Sequence, residues 1–414
     1  MRELPIGNDG AQAAGRLLAL IREGKASSRP AIERASGLSR VTVAQRLRYL
    51  FDAGLVVEGD KTEASGGRPA RTIRANPDFA VALAADVGES MIRVAATDLS
   101  PRILAETTFD LDVASGPQAA LTGIVRSARK LLRELANSQG RVLGIGLSLP
   151  APVNHVAGRV VGPSVMRGWD DFDVCGFLKS ELGVPALVDN DDNLMALSEF
   201  RRFWPRAEHF LFIKAGTGIG SGIIIGGAVY RGARGASGDI GHIQFDEASA
   251  PLCRCGKFGC VEARAAGWAI ARDLSANGYK ARNARDVIDL VERREPDAIQ
   301  RVREAGRVLG EVAADVVSVL NPTTIVVGGT LARAGEHLLA GVKELIYRRS
   351  LPLALEGLGV FAARSDDRAG VLGAASLVVD AALAPEALFG TVERLSRDKS
   401  DERRGKTPRT PRLR

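Results

Sequence analysis

The tightest constraint on this chain is a cluster of cysteines in its second half. Cys253, Cys255 and Cys260 are three of only four cysteines, and His242 lies eleven residues before the first of them. Thiolate and imidazole groups in this number form the Cys₃His set that tetrahedral zinc prefers. Four protein ligands leave no open position for water, so the pattern predicts a structural zinc site. Free thiols or a disulfide are the alternative, although nothing in the sequence suggests export.

Charge is distributed unevenly over the 414 residues. The net charge is +7, and residues 1–75 and 391–414 each carry a net charge of +5, which leaves a mildly acidic body. Basic ends favour attraction to nucleic-acid phosphates. No charged and apolar leader opens the sequence and no run of ~18 apolar residues occurs, so we expect a cytoplasmic protein without membrane contact. We interpret 391–414 as a basic disordered tail.

The first 75 residues have the order of a winged helix-turn-helix. Apolar spacing predicts three short helices, with Ser28 capping the second and Ser39 capping the third. A glycine between the second and third helices is typical of the turn in this motif. Two strands, Leu55–Glu58 and Arg71–Arg74, would follow and flank a Gly-Arg-Pro wing tip.

Polar side chains of the third helix and the wing are the candidates for DNA contact. Arginine can bond guanine edges, glutamine and threonine can reach adenine or the thymine methyl, and a wing arginine suits a narrow minor groove. These residues are Arg40, Thr42, Gln45, Arg46 and Arg68. A basic module that binds protein is the alternative, but the order of elements favours double-stranded DNA.

Beyond residue 80, apolar runs alternate with helical stretches, as in an α/β protein. We expect two similar halves, because each opens with strands that flank a glycine turn, one at Asp86–Gly88 and one at Gly216–Gly220. Such turns leave backbone N–H groups open to a phosphate. Each turn alone is a weak signal, since a tight hairpin is the commoner meaning.

Several motifs in a fixed order give the body a family resemblance. They are Gly144–Val153, Asp189–Asn193, Ala215–Gly222, Gly238–His242, Cys253–Glu262 and Val326–Gly329. With them the chain resembles the ROK family of repressors and sugar kinases, and the head resembles that of its repressor branch. The resemblance implies a two-lobed, actin-like (ribonuclease-H-like) α/β fold. The expected divisions are a winged helix-turn-helix at 1–75, a linker at 76–80, lobes at 81–195 and 196–390, and a zinc loop at 242–260.

The resemblance also implies roles for single residues. The implied sugar ligands are Asn190, Asp191, Asp239, His242 and Glu262, and Asp191 matches the catalytic base of the kinases. Asp239 stands where the family usually has glutamate, and His242 would use its two ring nitrogens for sugar and zinc. The implied nucleotide-phosphate residues are Asp86, Gly88, Gly216, Thr217, Gly218 and Gly220.

Departures at the first phosphate loop separate a regulator from an enzyme. Kinase loops read Asp-x-Gly-Gly-Thr-Lys, whereas residues 86–91 read Asp-Val-Gly-Glu-Ser-Met. Glu89 puts a carboxylate where the γ-phosphate would lie, at a cost on the order of 1–4 kcal/mol, and Met91 removes a cation.

We therefore expect a repressor that is not an enzyme. It would respond to a sugar or sugar phosphate, bind its operator as a homodimer or homotetramer, and use no ATP or Mg²⁺. An ATP-dependent sugar kinase with a DNA-binding head, or a scaffold with a dead sugar pocket, are the alternatives.

Overall fold

The computed structural model describes residues 8–61, 71–135, 141–162, 166–245 and 251–403. The head consists of α1 (Asn8–Arg22), α2 (Arg29–Ser36) and α3 (Arg40–Asp52), followed by the antiparallel strands β1 (Val56–Lys61) and β2 (Arg71–Ala75). This order confirms the predicted helices and hairpin. Ser39 caps α3, because its hydroxyl accepts a hydrogen bond from the backbone N–H of Thr42. The wing tip with Arg68 lies outside the described residues.

The first lobe is built on a mixed five-stranded sheet. Its strands are β3 (Val81–Val87), β4 (Met91–Thr97), β5 (Ile103–Asp110), β6 (Val142–Leu149) and β9 (Ala186–Asn190), in the order β5-β4-β3-β6-β9. β5, β4 and β3 pair antiparallel, and β3, β6 and β9 pair parallel. Helices α4 (Pro117–Glu134) and α5 (Val174–Leu182) cover one face, and β7 (Val153–Asn154) and β8 (Arg159–Val160) form a small hairpin.

The second lobe repeats this sheet. Its strands are β10 (His209–Ala215), β11 (Ile219–Ile225), β12 (Ala228–Val229), β13 (Thr324–Gly328) and β14 (Gly359–Ala362), in the order β12-β11-β10-β13-β14. Antiparallel and parallel pairs follow the same sequence as in the first lobe, which confirms the predicted two similar halves.

Helices enclose the second sheet. One large core holds α7 (Val261–Ala265), α8 (Gly267–Ala276), α9 (Ala284–Glu292), α10 (Pro296–Leu320) and α11 (Glu336–Arg349), with the short α12 (Pro352–Leu355) at its border. Helix α6 (Asp191–Phe203) packs on the opposite face.

The chain returns to the first lobe at its end. Helix α13 (Ala369–Leu383) packs against β3, β6 and α6. Assigning all of 196–390 to the second lobe was therefore wrong for this helix, which is apolar on nearly every side and buried between elements of both lobes.

The predicted disordered tail begins as a helix. α14 spans Leu388–Arg403, and its residues Leu388, Val392 and Leu395 are buried at helical spacing. Arg394 donates to the backbone carbonyls of Val142 and Leu143 in β6. The prediction was thus wrong for 391–403, and residues 404–414 lie outside the described part of the chain.

Head and body share one hydrophobic core. Buried side chains of α1 and α3 pack with Leu143, Leu383 and Val392 of the body. Phe79 and Ala80 lie in the same core, and Asn76 donates from its side chain to the carbonyl of Gly54. The stretch 76–80 is therefore part of the packed structure, and its prediction as a linker was wrong.

Within the described ranges, no single helix is long and apolar enough to cross a membrane. Only the bent pair of α13 and the first part of α14 meets that test together, by length and composition. Most residues of α13 are buried inside the protein.

Candidate functional site

The predicted cysteine cluster is assembled in the second lobe. His242 lies in a 3₁₀ turn (Ile240–His242), and Cys260 directly precedes α7. The four ligand atoms of His242, Cys253, Cys255 and Cys260 all lie within 4.8 Å of one another. The Sγ atoms of Cys255 and Cys260 are 3.7 Å apart. Zinc–sulfur bonds of about 2.3 Å in a tetrahedron place two sulfurs about 3.8 Å apart, so this donor set fits zinc.

The cluster lies next to the predicted sugar ligands Asp239 and Glu262, in the region where the two lobes meet, which we call the cleft. The Nδ1 atom of His242 lies 3.8 Å from the Cys253 sulfur, whereas its Nε2 atom lies 4.0 Å from a carboxylate oxygen of Asp239. Glu262, two residues after Cys260, is almost fully buried. Its carboxylate accepts from the backbone N–H of Ile219 at 3.2 Å and from the Trp268 indole at 3.3 Å. The cluster therefore positions an imidazole and a carboxylate.

The predicted sugar ligands Asn190 and Asp191 lie at the start of α6. The side-chain oxygen of Asn190 caps the helix by accepting from the backbone N–H of Asp192 at 3.0 Å, and its amide donates to the carbonyl of Ala151. Asp191 is buried in the first turn, where the helix dipole favours a carboxylate. Asn190 thus has a structural role of its own, and it places Asp191 in the cleft.

A lysine that the sequence analysis missed lies between the carboxylates of Asp191 and Asp192. The Lys214 ammonium, at the end of β10, pairs closely with a carboxylate oxygen of Asp191 and lies 3.4 Å from Asp192. Burial lowers the pKa of Lys214, but the carboxylates of Asp191 and Asp192 outweigh it, so the pKa is raised and the ammonium stays charged. Burial raises the pKa of Asp192 to about 7. The sequence feature that could have indicated this residue is a single lysine between an apolar strand and a glycine turn.

The first glycine turn is a tight hairpin. The backbone N–H of Gly88 donates to the carbonyl of Met91 at 2.9 Å, which joins β3 to β4. Asp86 is half-buried at the end of β3, and desolvation raises its pKa to about 6. The carboxylate of Glu89 accepts from Arg254 at 3.2 Å, and Arg254 stands between two of the clustered cysteines. The residue that departs from the kinase pattern therefore bridges the two lobes.

Close packing explains two glycines of the second turn. A Cβ atom at Gly220 would overlap the carboxylate of Asp192, and one at Gly218 would lie 2.9 Å from the carboxylate of Glu262. The N–H of Gly216 donates to the carbonyl of Gly218, while the carbonyls of Gly216 and Thr217 accept from the first residues of α8. Carboxylates and a helix end therefore account for the close packing of this turn.

A second cation that the sequence did not reveal lies beside the predicted sugar ligands Asn190 and Asp191. Arg231 donates from two nitrogens to one oxygen of Asp189, at 2.8 and 2.6 Å. Asp189 is 2% exposed and its other oxygen accepts from Asn193. The pair ties the loop after β12 to the end of β9, so it also connects the two lobes.

The exposed face of α3 differs from the predicted one. Arg40 and Gln45 are exposed, as expected, together with Val41, Ala44 and Arg48. The Thr42 hydroxyl instead bonds the Ser39 hydroxyl at 2.9 Å.

Arg46 was placed wrongly on the exposed face. It is half-buried and donates to the carbonyl of Gly10 in α1 at 3.4 Å. The helical period carries position 46 towards α1, because Val43, Leu47 and Leu50 define the inner side of α3.

Two lobes with the same sheet topology, a Cys₃His cluster in the second lobe and a head of three helices and a hairpin define a two-lobed α/β protein with an added head. Residues 82–381 match the model of the ROK family, and the chain belongs to this family.

Relatives of both branches resemble this chain. A putative xylose repressor of Caldicellulosiruptor sp. is 27% identical over 89% of the chain and 95% of its own length. A glucokinase of Halalkalibacterium halodurans is 31% identical over 71% of the chain and 93% of its own length. Among solved structures, a ROK family transcriptional regulator described as a homologue of the E. coli MLC protein has a TM-score of 0.80 and 26% identity. It covers 94% of this chain and all of its own. The repressor match therefore includes more of the chain than the glucokinase match does.

Proposed function

We propose that this protein is a sugar-responsive, DNA-binding transcriptional repressor. The observation that carries the proposal is the shared core of head and body, in which the three-helix head packs directly against a sugar-kinase-like fold. Two relatives named as xylose repressors, one of them putatively, match this chain over 89% and 88% of its length. A sugar that binds two cleft arrangements with different affinity would change the position of the head and so the affinity for the operator.

The exposed face of α3 is the proposed reading surface. Arg40, Gln45 and Arg48 provide donors for phosphates and base edges, and Val41, which is 69% exposed, provides an apolar contact for a thymine methyl. A second copy would place its own α3 one helical turn of DNA away, about 34–36 Å, and we propose a homo-oligomer for this reason.

Gln45→Ala and Arg48→Ala are expected to weaken operator binding. Each removes a donor from the reading surface without touching the core, and a lost base contact costs about 1–3 kcal/mol, roughly tenfold to a hundredfold in affinity. Fluorescence anisotropy with promoter DNA at fixed salt would measure the change. Arg126→Ala, which removes an exposed arginine of α4 in the body, is the charge-matched control. Equal binding by all three variants would contradict a reading role for α3.

Asp191, Asp239, His242 and Glu262 are the proposed sugar ligands. Three of them are carboxylates that accept hydrogen bonds, and the fourth is an imidazole. The cations of the cleft are already paired with carboxylates: Lys214 with Asp191, Arg231 with Asp189 and Arg254 with Glu89. Such a cleft suits a neutral molecule rich in hydroxyl groups.

Asp191→Asn is expected to abolish stabilisation by sugars. The variant loses the charged acceptor for a sugar hydroxyl, worth about 1.5–3 kcal/mol, so affinity should fall by at least tenfold. Thermal shift with glucose, xylose and N-acetylglucosamine would detect it, with Asp289→Asn, an exposed residue of α9, as control. The same panel with ATP tests the kinase alternative, since ADP release by the unmodified protein would contradict the proposal.

Zinc is the proposed occupant of the Cys₃His cluster. His242, Cys253, Cys255 and Cys260 would complete its tetrahedron, and a filled tetrahedron gives zinc a structural role. Its contribution would be to hold the loop that carries Glu262 and the imidazole of His242 in place.

A further inference from the structure

Lys214 is in an unusual position for a lysine. Its side chain is 20% exposed, and it extends from the end of β10 in the second lobe into the group of carboxylates at the start of α6. Lysine is rarely so buried unless it is paired. The surroundings of its ammonium therefore indicate what it does there.

Three carboxylates belong to this group. Asp191 pairs closely with the ammonium, and Asp192 lies 3.4 Å from it. Asp86, at the end of β3 in the other lobe, is half-buried, and its charge interacts with those of Asp191 and Lys214. The Oδ1 atom of Asp192 is buried and makes no hydrogen bond, so its ion pair with Lys214 offsets the cost of burying it. Gly220 leaves the room that this carboxylate needs.

Other cations near this group form ion pairs with other carboxylates. Among the described residues, Arg93 pairs with Glu106 and Asp367, Arg231 pairs with Asp189, and Arg254 pairs with Glu89. Lys214 is thus the cation that compensates the group formed by Asp86, Asp191 and Asp192.

Carboxylates gathered in this way are also what a divalent metal ion requires. Mg²⁺ and Mn²⁺ prefer oxygen ligands, and phosphoryl-transfer sites hold them on one or two aspartates beside the nucleotide. An ammonium group offers one positive charge and three N–H donors in a comparable volume.

We propose that Lys214 is a built-in cation that replaces a divalent metal ion among Asp86, Asp191 and Asp192. The cleft thereby holds a positive charge among these carboxylates without Mg²⁺ and without a nucleotide. An oxygen of Asp191 that accepts from the ammonium is also not free to remove a proton from a hydroxyl, so the residue is fixed as a hydrogen-bond acceptor. This role does not depend on which sugar binds, and it concerns a residue outside the predicted site.

The test removes the charge and keeps the length of the side chain. Lys214→Met in the full, zinc-saturated chain leaves three carboxylates without their cation, so it is expected to bind one Mn²⁺ per chain at least tenfold more tightly than the unmodified protein. Electron paramagnetic resonance titration with Mn²⁺ alone measures this. Lys179→Met, which removes an exposed lysine of α5, should bind Mn²⁺ as the unmodified protein does.

Two further measurements locate the ion and guard against unfolding. Adding Asp192→Asn to Lys214→Met should abolish the new site. If Lys214→Met is unstable, Mn²⁺ should raise its melting temperature, while sodium chloride at equal ionic strength should not. The proposal is overturned if Lys214→Met binds Mn²⁺ no better than the unmodified protein and is not stabilised by it. It is also overturned if the unmodified protein already binds one Mn²⁺ tightly and loses it with Asp192→Asn. Either result would leave the proposed function as a sugar-responsive repressor unaffected.

Discussion

Cys255→Ser is expected to lose its metal, to melt at a lower temperature and to stop responding to sugar. Structural zinc sites contribute about 10–16 kcal/mol in zinc-finger peptides, so one ligand of four corresponds to about 3 kcal/mol. That is roughly a hundredfold loss in zinc affinity. In a chain of this size we expect the melting temperature to fall by roughly 3–4 °C.

The loss of sugar response follows from the position of the cluster. Cys260 directly precedes the helix that carries Glu262, and Glu262 accepts from Ile219 in the second glycine turn. His242 belongs to both the cluster and the cleft. Releasing the metal would therefore release two proposed sugar ligands together.

Cys175→Ser is the matched control for this prediction. Cys175 is the fourth cysteine, it is half-buried in α5, and it lies outside the cluster. Burial raises its pKa to about 11, so it stays a thiol and is a poor metal ligand. Elemental analysis of both variants, with thermal shift in the presence of the sugar panel, is the measurement. One zinc per chain and full sugar response in Cys255→Ser would show that the loop keeps its shape without this ligand.

Local sequence signals predicted much of this structure. The apolar runs Val81–Val87 and Val142–Leu149 are strands with the predicted ends, because a strand buried on both faces is apolar throughout. The cap at Ser39 and the cysteine cluster were also predictable, since cap chemistry and metal ligands each depend on a few residues close in sequence.

Features that depend on distant partners were not predictable in this way. β5 has three consecutive polar residues, Glu106–Thr108, at a sheet edge, and β14 is short and begins with glycine, so neither presents a long apolar run. The basic composition of residues 391–403 suggested disorder, whereas Leu388, Val392 and Leu395 find a core between α1 and β6 that only the folded chain provides. The ion pair of Lys214 likewise joins residues from separate elements.

Asp380→Ala is expected to destabilise the attachment of the head. Asp380, in α13, accepts from Arg22 of α1 at 3.1 Å and from Arg201 of α6 at 2.8 Å. Burial lowers the pKa of Arg22, and the Asp380 carboxylate acts in the opposite direction, so it offsets part of the cost of burying the guanidinium. Removing one partner of a buried pair costs about 3–5 kcal/mol. Asp380 is one-third exposed, so solvent screening reduces the expected loss to about 2–3 kcal/mol.

Glu134→Ala is the control for this variant. This variant also loses a carboxylate that faces a cation. The Lys130–Glu134 pair, however, is 3.9 Å long, and both side chains are more than half exposed. Such pairs contribute about 0–1 kcal/mol. Urea unfolding followed by tryptophan fluorescence and circular dichroism would compare the two. Equal stability of both variants would mean that the apolar core alone holds the head.

The position of Asp380 extends this prediction from stability to regulation. α6 begins at Asp191 in the cleft and reaches Arg201 near its end, and the Asp380 carboxylate joins that end to α1 of the head. If the chain is a sugar-responsive repressor, Asp380→Ala at a temperature where it stays folded should bind sugar and operator separately but show a smaller effect of sugar on operator affinity. The ratio of operator dissociation constants with and without sugar measures this coupling. An unchanged ratio would show that the signal reaches the head through the shared apolar core, and that the ion pairs serve its attachment only.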